Sequence, residues 1–313
     1  MLSIILVNYN NSDDTINCIR MLTEQTFQNF ELIIVDNNSD HTERLKLKDF
    51  LDNSKISQSF KEKVRLKLLN SNTGFTGGCN YGIEISKKNL ILLQNSDTYF
   101  NSEFLEIMLN FFRKHQFIHI AQPKICFHPN KSLIWSNGGK IRKYSFSLFG
   151  NLDAMERDNK KRKKPFRIDY AVGTSFFIKK HVLNEIGLLD KIYFMYCEES
   201  DLCYRASLKG YKIYCNPNCV IYHKIPEEFA PSFKKYYFRN RNIFCFKFFP
   251  FPILLWQTLV QFIQLFIYTI DRKKKKIDYN FLFSSIKGIV IGLKVGIIKR
   301  KEYKKFKLTK KNH

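Results

Sequence analysis

The sequence predicts an α/β protein built on a mostly parallel sheet with helices on both faces. Three observations carry that expectation. Short apolar runs recur through the first hundred positions. Helix-like segments with polar caps separate them. A polar cluster follows each run, so all the clusters fall on one edge of the implied sheet. That rhythm of alternating strands and helices belongs to open parallel sheets, whose ligands sit at the carboxyl ends of the strands.

The elements follow in order. Residues 3–7 are continuously apolar except at the first, as a strand buried on both faces should be. Ser12, Asp13 and Asp14 suit the start of a helix reaching about Gln25, with Ile16, Ile19 and Leu22 on one face. Residues 31–35 form a second run, ended by a polar cluster at 36–40 that serves as loop and helix cap. A charged helix near 42–53 leads to a third strand at 64–69, and residues 90–94 make a fourth. Residues 156–165 combine a charge run with a terminal proline and read as a solvated, mobile loop. A strand over 170–178, a short helix from Lys179, a helix opening at Glu198 and an alternating strand from Tyr211 complete this part.

Composition bounds the class. The chain has 313 residues, roughly two domains at about 150 residues each. Hydrophobic residues make up 44% and charged residues 26%, which excludes general disorder. Eight cysteines are scattered, and Met1 opens into an apolar strand without a basic leader, so a reducing compartment is expected rather than a secreted disulfide framework. The net charge of +24 is uneven: residues 229–313 hold 20 Lys and Arg against 3 Asp and Glu. Residues 1–228 therefore read as a mildly basic globular domain. Residues 229–313 read as a basic, aromatic-rich tail that calls for a polyanion, either nucleic acid or an anionic membrane.

The polar clusters hold the candidate chemistry. Val7, Asn8, Tyr9 and Asn10 end the first strand, and Asp36 to Ser39 end the second. An acid in such a place is more often a helix cap than a ligand contact. Residues 72–80 carry Gly74, Gly77 and Gly78 before a helix, which allows close backbone approach to a ligand or simply a tight turn. The spacing is neither a dinucleotide fingerprint nor a phosphate-binding loop. Asp97, shortly after a buried strand, is suited to a hard cation bridging phosphates. Glu198, Glu199 and Asp201 crowd one helix start, where acids either complement the helix dipole or include a raised-pKa general base. His223 ends a strand with an imidazole.

Taken in order, Asn8-Tyr9, Asp36-Asn37, Asn72, Gly74-Phe75, Gly77-Gly78, Asn80, Asn95-Ser96-Asp97, Gly173, Glu198 to Leu202 and His223 resemble the inverting family-two glycosyltransferases. The match is with the bacterial rhamnosyltransferase-like branch that builds O-antigen and capsule, over about residues 1–245. The resemblance implies a GT-A fold, a nucleotide-diphosphate sugar donor and a divalent metal, Mg²⁺ or Mn²⁺. It places Val7, Asn8, Tyr9 and Asp36 around the nucleotide base and ribose. Asn72, Gly74, Gly77, Gly78 and Asn80 join the donor side, with Arg239 near the diphosphate. Asp97 and His223 would hold the metal, and Asn95 stands where many relatives carry the first Asp of an Asp-x-Asp motif. Glu199 would be the general base, a Glu for the usual Asp, with Glu198 in reserve and Asp201 orienting the helix or the acceptor. Gly173, Thr174 and Ser175 would line the acceptor side. The expected reaction is transfer of rhamnose from dTDP-rhamnose, or of a hexose from a UDP-hexose, to a lipid-linked saccharide.

The tail adds an expectation of its own. Residues 248–270 carry no charge over 23 positions, and Gln257, Gln261 and Gln264 form a narrow polar stripe at helical spacing. A basic run at 272–276 follows, then a second apolar segment at 281–298 with Lys287 and Lys294, and with Gly288, Gly292 and Gly296 as a small-residue face. Keeping both basic flanks on the cytosolic side favours helices lying in the membrane surface over a single span. The expected location is thus the cytosolic face of the inner (plasma) membrane. The alternatives are a basic nucleic-acid-binding protein, for which no finger or RNP-like signature is present, and a catalytically impaired relative. A zinc site at Cys215, Cys219 and His223 lacks a partner cysteine pair, and the eight thiols read as small buried hydrophobes.

Overall fold

The computed structural model describes residues 1–53, 55–159, 162–225, 231–271, 276–277 and 279–309. The chain divides into two compact units, residues 1–140 with 151–225, and residues 141–150 with 226–313. The elements are β1 (Leu2–Asn8), α1 (Ser12–Thr23), β2 (Phe30–Asp36), α2 (His41–Asn53), α3 (Gln58–Lys61), β3 (Val64–Leu68), α4 (Gly74–Ile85), β4 (Leu90–Gln94) and β5 (Thr98–Phe100). They continue with α5 (Phe104–Lys114), β6 (Ile120–His128), β7 (Ile134–Ser136), β8 (Gly139–Ile141), β9 (Phe149–Asn151), β10 (Phe166–Arg167), β11 (Ser175–Lys179), α6 (Lys180–Ile186), α7 (Glu198–Leu208) and β12 (Ile213–Lys224). Three helices follow, α8 (Pro231–Phe248), α9 (Phe251–Thr269) and α10 (Tyr279–Thr309).

The first unit is the expected α/β body. Its sheet runs β10-β12-β6-β11-β4-β1-β2-β3, with β5 added beside β12 and β7 beside β6. β1, β2, β3 and β4 pair in parallel, as do β6 and β12. Only β11 runs against its neighbours in the middle of the sheet, between β4 and β6. The apolar runs explain the order: Ile4, Ile5 and Leu6, Leu32 to Val35, and Ile91 to Leu93 are all buried, as strands covered on both faces must be. Each such side chain contributes about 1.5–3 kcal/mol on burial.

Two details of this topology position the site. β5 folds back after β4 and pairs antiparallel with the end of β12, which sets Thr98 opposite His223. Because β11 runs antiparallel to β4, its first residue, Ser175, lies opposite Gln94 at the end of β4. Gly173 and Thr174, just before β11, are therefore brought to the same edge as Asn95 to Asp97.

The glycine-rich helix α4 packs on β1 through its glycines. A Cβ on Gly78 would stand 2.8 Å from Val7 Cγ1, and one on Gly82 would stand 2.5 Å from Ile5 Cγ2. These glycines let α4 pack closely on β1.

The charged loop before β10 is pinned where it is described. Arg162 binds both carboxylate oxygens of Asp153, at 2.6 and 3.0 Å, and lies over the Phe166 ring. Lys124, itself buried, pairs with Asp158 at 2.7 Å. The expectation of a freely solvated loop is corrected on these residues; Lys160 and Lys161 lie outside the described ones.

In the second unit, the glycine face of α10 sits on α8: a Cβ on Gly288 would stand 2.4 Å from the Lys235 carbonyl, and one on Gly292 2.5 Å from that of Arg239. Phe238, Leu265 and Ile289, one from each helix, share a small core. The glutamine stripe of α9 faces inward. Gln257 and Gln264 accept from the buried guanidinium of Arg241, and Gln261 exchanges hydrogen bonds with Asn242 at 2.8 and 3.2 Å. Gln257 and Gln264 also donate to the carbonyls of Lys143 and Phe146, at 2.7 and 2.9 Å. Among the described residues no helix is long and apolar enough to cross a membrane. The basic residues 272–275 lie outside the described ones.

Candidate active site

The carboxyl ends of β1 and β2 carry a closed polar network. Asn8 and Asp36 are register partners and both fully buried. Asn8 donates to Asp36 Oδ2 at 2.9 Å and accepts from Thr15 at 2.8 Å. Asp36 Oδ1 accepts from Arg44 Nε at 2.8 Å and from the Ser39 amide at 3.0 Å. Both oxygens of this carboxylate thus bind protein donors, so Asp36 shapes the edge and holds Arg44 beside it. Tyr9, next to Asn8, is half exposed.

Asn37 ties this edge to the glycine-rich turn. Its amide donates to Asn72 Oδ1 and to the Gly74 carbonyl, both at 3.0 Å, and its oxygen accepts from the Thr73 amide at 3.0 Å. Gly74 has φ +72°, a conformation side chains rarely adopt, and a Cβ there would lie 2.3 Å from the Phe194 carbonyl. Asn80 mimics a peptide, donating to the Leu189 carbonyl at 2.8 Å and accepting from its amide at 3.1 Å. Asn72, Gly74, Gly77, Gly78 and Asn80 therefore come together, but their described contacts are to Asn37, Thr73, Val7, Phe194 and Leu189. Of these, Gly74 and Asn80 meet the segment around 189–197, at Phe194 and Leu189.

That segment carries the carboxylates. Phe194, Tyr196 and Cys197 all have positive φ, 64°, 68° and 70°, directly before α7. Strain at three of four neighbouring positions persists only where surroundings enforce it, and it gathers at functional sites. Here the enforcing contacts are the Thr76 amide on the Phe194 carbonyl, at 3.1 Å, and the open face of Gly74. Asp201 anchors the other side: it accepts from the Tyr193 hydroxyl at 3.1 Å and from Arg205 Nε at 2.6 Å. Arg205 in turn holds the carbonyls of Ile186, Gly187 and Leu188. Asp201 is a positioning residue for α7.

Glu198 and Glu199 project from this strained start. Glu198 is buried, and its Oε2 has no hydrogen-bond partner. Burial, then the neighbouring charge of Glu199, pushes its carboxyl well above the usual range. Burial lifts Glu199 to about 7, against backbone hydrogen bonds that favour its charged form. The Glu199 carboxyl carbon lies 3.7 Å from where a Cβ on Gly173 would be, so Gly173 leaves the space before the pair open. The Tyr196 hydroxyl, raised mainly by burial, also feels the charges of both Glu198 and Asp97.

At that turn, the Asn95 amide donates to the Thr174 carbonyl at 2.9 Å. His223 Nε2 lies 3.2 Å from Asp97 Oδ1, yet Asp97 Oδ1, His223 Nδ1 and Asn95 Oδ1 are buried without hydrogen-bond partners. Orphaned buried polar atoms are costly unless something outside the chain satisfies them. Two ligands at about 2.1 Å from an ion and at right angles to each other stand about 3.0 Å apart, close to the spacing here. The residues fit a divalent ion that draws its other ligands from a bound phosphate. Among the described residues no group of three or more His, Cys, Asp or Glu forms a self-sufficient cage. Cys215 and Cys219 are buried thiols, the latter against the Phe104 carbonyl.

The structure adds residues to the site that the sequence does not single out. Trp135 on β7 packs edge-on against the His223 ring, centroids 4.8 Å apart. Lys224, after His223, binds Asp14 of α1 at 3.2 Å and donates its amide to the Asp97 carbonyl at 3.0 Å. A lone tryptophan on a three-residue strand has no pattern to betray it. Arg239 lies on α8, in the second unit, where its guanidinium donates to Asn240 at 2.8 Å.

Known proteins resemble this chain in sequence and in fold. The family described as Glycosyl transferase family 2 matches residues 3–187, more than half of the chain. The chain is 28% identical to the low-salt glycan biosynthesis hexosyltransferase Agl10 of Haloferax volcanii, over 77% of this chain and 74% of that protein. It is 22% identical to the dTDP-rhamnosyl transferase RfbF of Shigella flexneri, over 77% of each. Among solved structures, GalNAc-T7 with UDP, GalNAc and Mn²⁺ superposes with a TM-score of 0.61 at 15% identity. That likeness covers 79% of this chain and half the length of the other, and it shows a shared GT-A-like fold.

Proposed function

The chain belongs to glycosyl transferase family 2, and from that premise we propose that it moves a sugar from a nucleoside-diphosphate donor to a saccharide acceptor with inversion at the anomeric carbon. One observation carries the reading. Four buried polar atoms without partners, on Asn95, Asp97, His223 and Glu198, belong to the same strand-end edge as a carboxyl poised near 7.

In the proposed reaction Glu199 accepts the proton of the acceptor hydroxyl as that oxygen forms its bond to the anomeric carbon. The bond from that carbon to the diphosphate oxygen breaks in the same displacement. A base is most effective when its pKa lies near the working pH, which burial of Glu199 arranges. Glu198 lies beside it, its own carboxyl raised well above the usual range by burial and then by the charge of Glu199, so the two carboxyls resist ionising together. Gly173 and Thr174 leave room for the acceptor. Asp97 and His223 would hold a divalent ion, Mg²⁺ or Mn²⁺, whose contribution when bound is to neutralise the departing diphosphate. Asn95, in place of a second carboxylate, keeps that site dependent on the donor's own oxygens.

The names of the two sequence relatives support a hexose or a rhamnose as the group moved, hence a UDP-hexose or dTDP-rhamnose as donor. The charge of the tail and its apolar segments support a lipid-linked acceptor met at the cytosolic face of the plasma membrane. The test is the stereochemistry of transfer. Incubation of the accepted donor with a soluble acceptor analogue, followed by NMR of the new glycosidic bond, should show the anomeric configuration opposite to the donor's. Retention would contradict the single displacement.

A further inference from the structure

The second unit turns an apolar surface outward, and its sequence pattern separates two faces on each of two helices. On α9 the inward face is occupied: Gln257, Gln261 and Gln264 are consumed by Arg241, Asn242 and the carbonyls of residues 143–146. The opposite face carries Phe251, Leu255, Leu259, Phe262 and Ile263, from 42% to 71% exposed, with Trp256 at 41%. These positions recur every three to four residues along a 19-residue helix and make about 18 Å of apolar stripe without a charge. Soluble surfaces seldom leave a stripe of that kind uncovered.

α10 repeats the division with charge added. Its inward face is the glycine row on α8. Its outward face carries Phe283 at 68% exposure, with Ile286, Val290 and Ile297 also exposed. Lys287 and Lys294 are exposed on the same face, interleaved with those side chains. The only acid among residues 279–309 is Glu302, already paired with Lys299 at 2.7 Å. Lysines set among exposed aliphatic and aromatic side chains suit a surface that is apolar below and anionic above, because each ammonium can reach the headgroups while its stem lies along the acyl region.

We propose that the outward faces of α9 and α10 are the surface by which this protein lies on an anionic lipid bilayer, parallel to its plane, with Trp256 and Phe262 in the acyl boundary and Lys287 and Lys294 at the headgroups. This rests on the membrane-surface reading of the acceptor and adds which residues make the contact. The commitment to lipid rather than to a second copy of the chain rests on charge. Residues 229–313 hold 20 basic residues against 3 acidic ones, so two copies would repel while an anionic leaflet attracts.

The test uses the full-length protein and vesicles of phosphatidylcholine with 0 to 40% phosphatidylglycerol, and reads Trp256 emission together with quenching by lipids brominated at known depths. The expected result is a blue shift and shallow quenching that grow with the anionic fraction, fall with added salt, and are absent in Trp256→Phe. Because the face is solvent-exposed, Leu259→Glu with Phe262→Glu should fold and lower partitioning at least tenfold. Lys287→Gln with Lys294→Gln should lower it by about fivefold per site on anionic vesicles and little on neutral ones. Donor hydrolysis without vesicles should be unchanged in all of these variants. Flotation that survives Leu259→Glu with Phe262→Glu would leave membrane attachment standing and overturn this face as its cause. Equal binding to neutral and anionic vesicles, quenching at the bilayer centre, or a concentration-dependent dimer abolished by the same variant would each overturn the proposal. If the vesicle results hold while no donor is ever consumed, the catalytic reading fails and the docking surface stands.

Discussion

His223 Nε2 stands 3.2 Å from Asp97 Oδ1, and neither that oxygen nor His223 Nδ1 has a hydrogen-bond partner. The pair exists because β5 doubles back from β4 onto β12, placing a turn residue and a strand-end residue side by side. Two side-chain donors are too few for tight binding of a free ion but enough to complete a site shared with a diphosphate. Calorimetry should therefore show weak Mn²⁺ binding to the protein alone and binding at least about tenfold tighter with a nucleoside diphosphate present. Asp97→Ala should remove that enhancement. Tight binding of Mn²⁺ alone that survives Asp97→Ala would contradict it.

The pH dependence of turnover follows from Glu199. A base lifted to about 7 is protonated below that pH, so the rate should fall about tenfold per unit as pH drops from 7 and level off above it. Glu199→Gln should lower turnover by about 10²–10⁴-fold and flatten the acid limb, with donor affinity near wild type. Glu198→Gln keeps a neutral carboxyl-like group and should cost much less. If Glu198→Gln loses activity and Glu199→Gln keeps it, the roles are exchanged.

Stability carries the same signature with a definite sign. Both carboxyls bind a proton more tightly folded than unfolded, Glu199 moving from 4.5 to about 7. The stabilising contribution is fully present below about 4.5 and is lost as pH rises toward 7 and beyond. Glu199→Gln removes that loss. The variant should match wild type near pH 4 and exceed it by about 1–3 kcal/mol at pH 8 in denaturant titrations. A variant less stable than wild type at pH 8 would assign Glu199 to capping the helix instead.

Gly74 and Gly173 should separate support from contact. Gly74→Ala forces a Cβ to within 2.3 Å of the Phe194 carbonyl at a φ of +72°, so it should cost at least about 1–3 kcal/mol and displace the strained segment before Glu198. Gly173→Ala meets only ordinary contacts, 3.7 Å from the Glu199 carboxyl carbon, and should fold normally. Its extra methyl narrows the acceptor side, so the acceptor KM should rise while the melting temperature stays within about 2 °C. A fall in melting temperature for Gly173→Ala as large as that for Gly74→Ala would remove the distinction.

Much of this was legible in the sequence because burial on both faces writes strands as apolar runs, and β1, β2 and β4 lie where such runs occur. The strands that build the site were harder. β5 and β7 have three residues each, too few to show a period, and the reversal of β11 is a matter of tertiary register. The same gap hid Trp135 and its contact with His223. Polar residues after strands mark the right edge, but spacing alone does not separate Asn80 and Asp201, engaged inside the fold, from Asn95 and Glu198, whose buried oxygens find no partner. The glycines of α4 show the limit from the other direction. Within the run, spacing does not tell Gly78, which lies against Val7 of β1, from Gly74, which lies against Phe194. The glutamine stripe of α9 was visible at helical spacing, yet its partners, Arg241 and Asn242, became known only from the packing of α8.

The central claim is that this edge binds and opens a nucleoside-diphosphate sugar, and the most direct measurement is a donor panel. The full-length protein should be incubated with dTDP-rhamnose and with UDP-hexoses, in Mg²⁺ or Mn²⁺, while release of nucleoside diphosphate is followed. One donor should be hydrolysed slowly, with the activity lost in Asp97→Ala and reduced by about 10²–10⁴-fold in Glu199→Gln. Binding of no nucleoside diphosphate, or hydrolysis that proceeds unchanged in both variants, would contradict it.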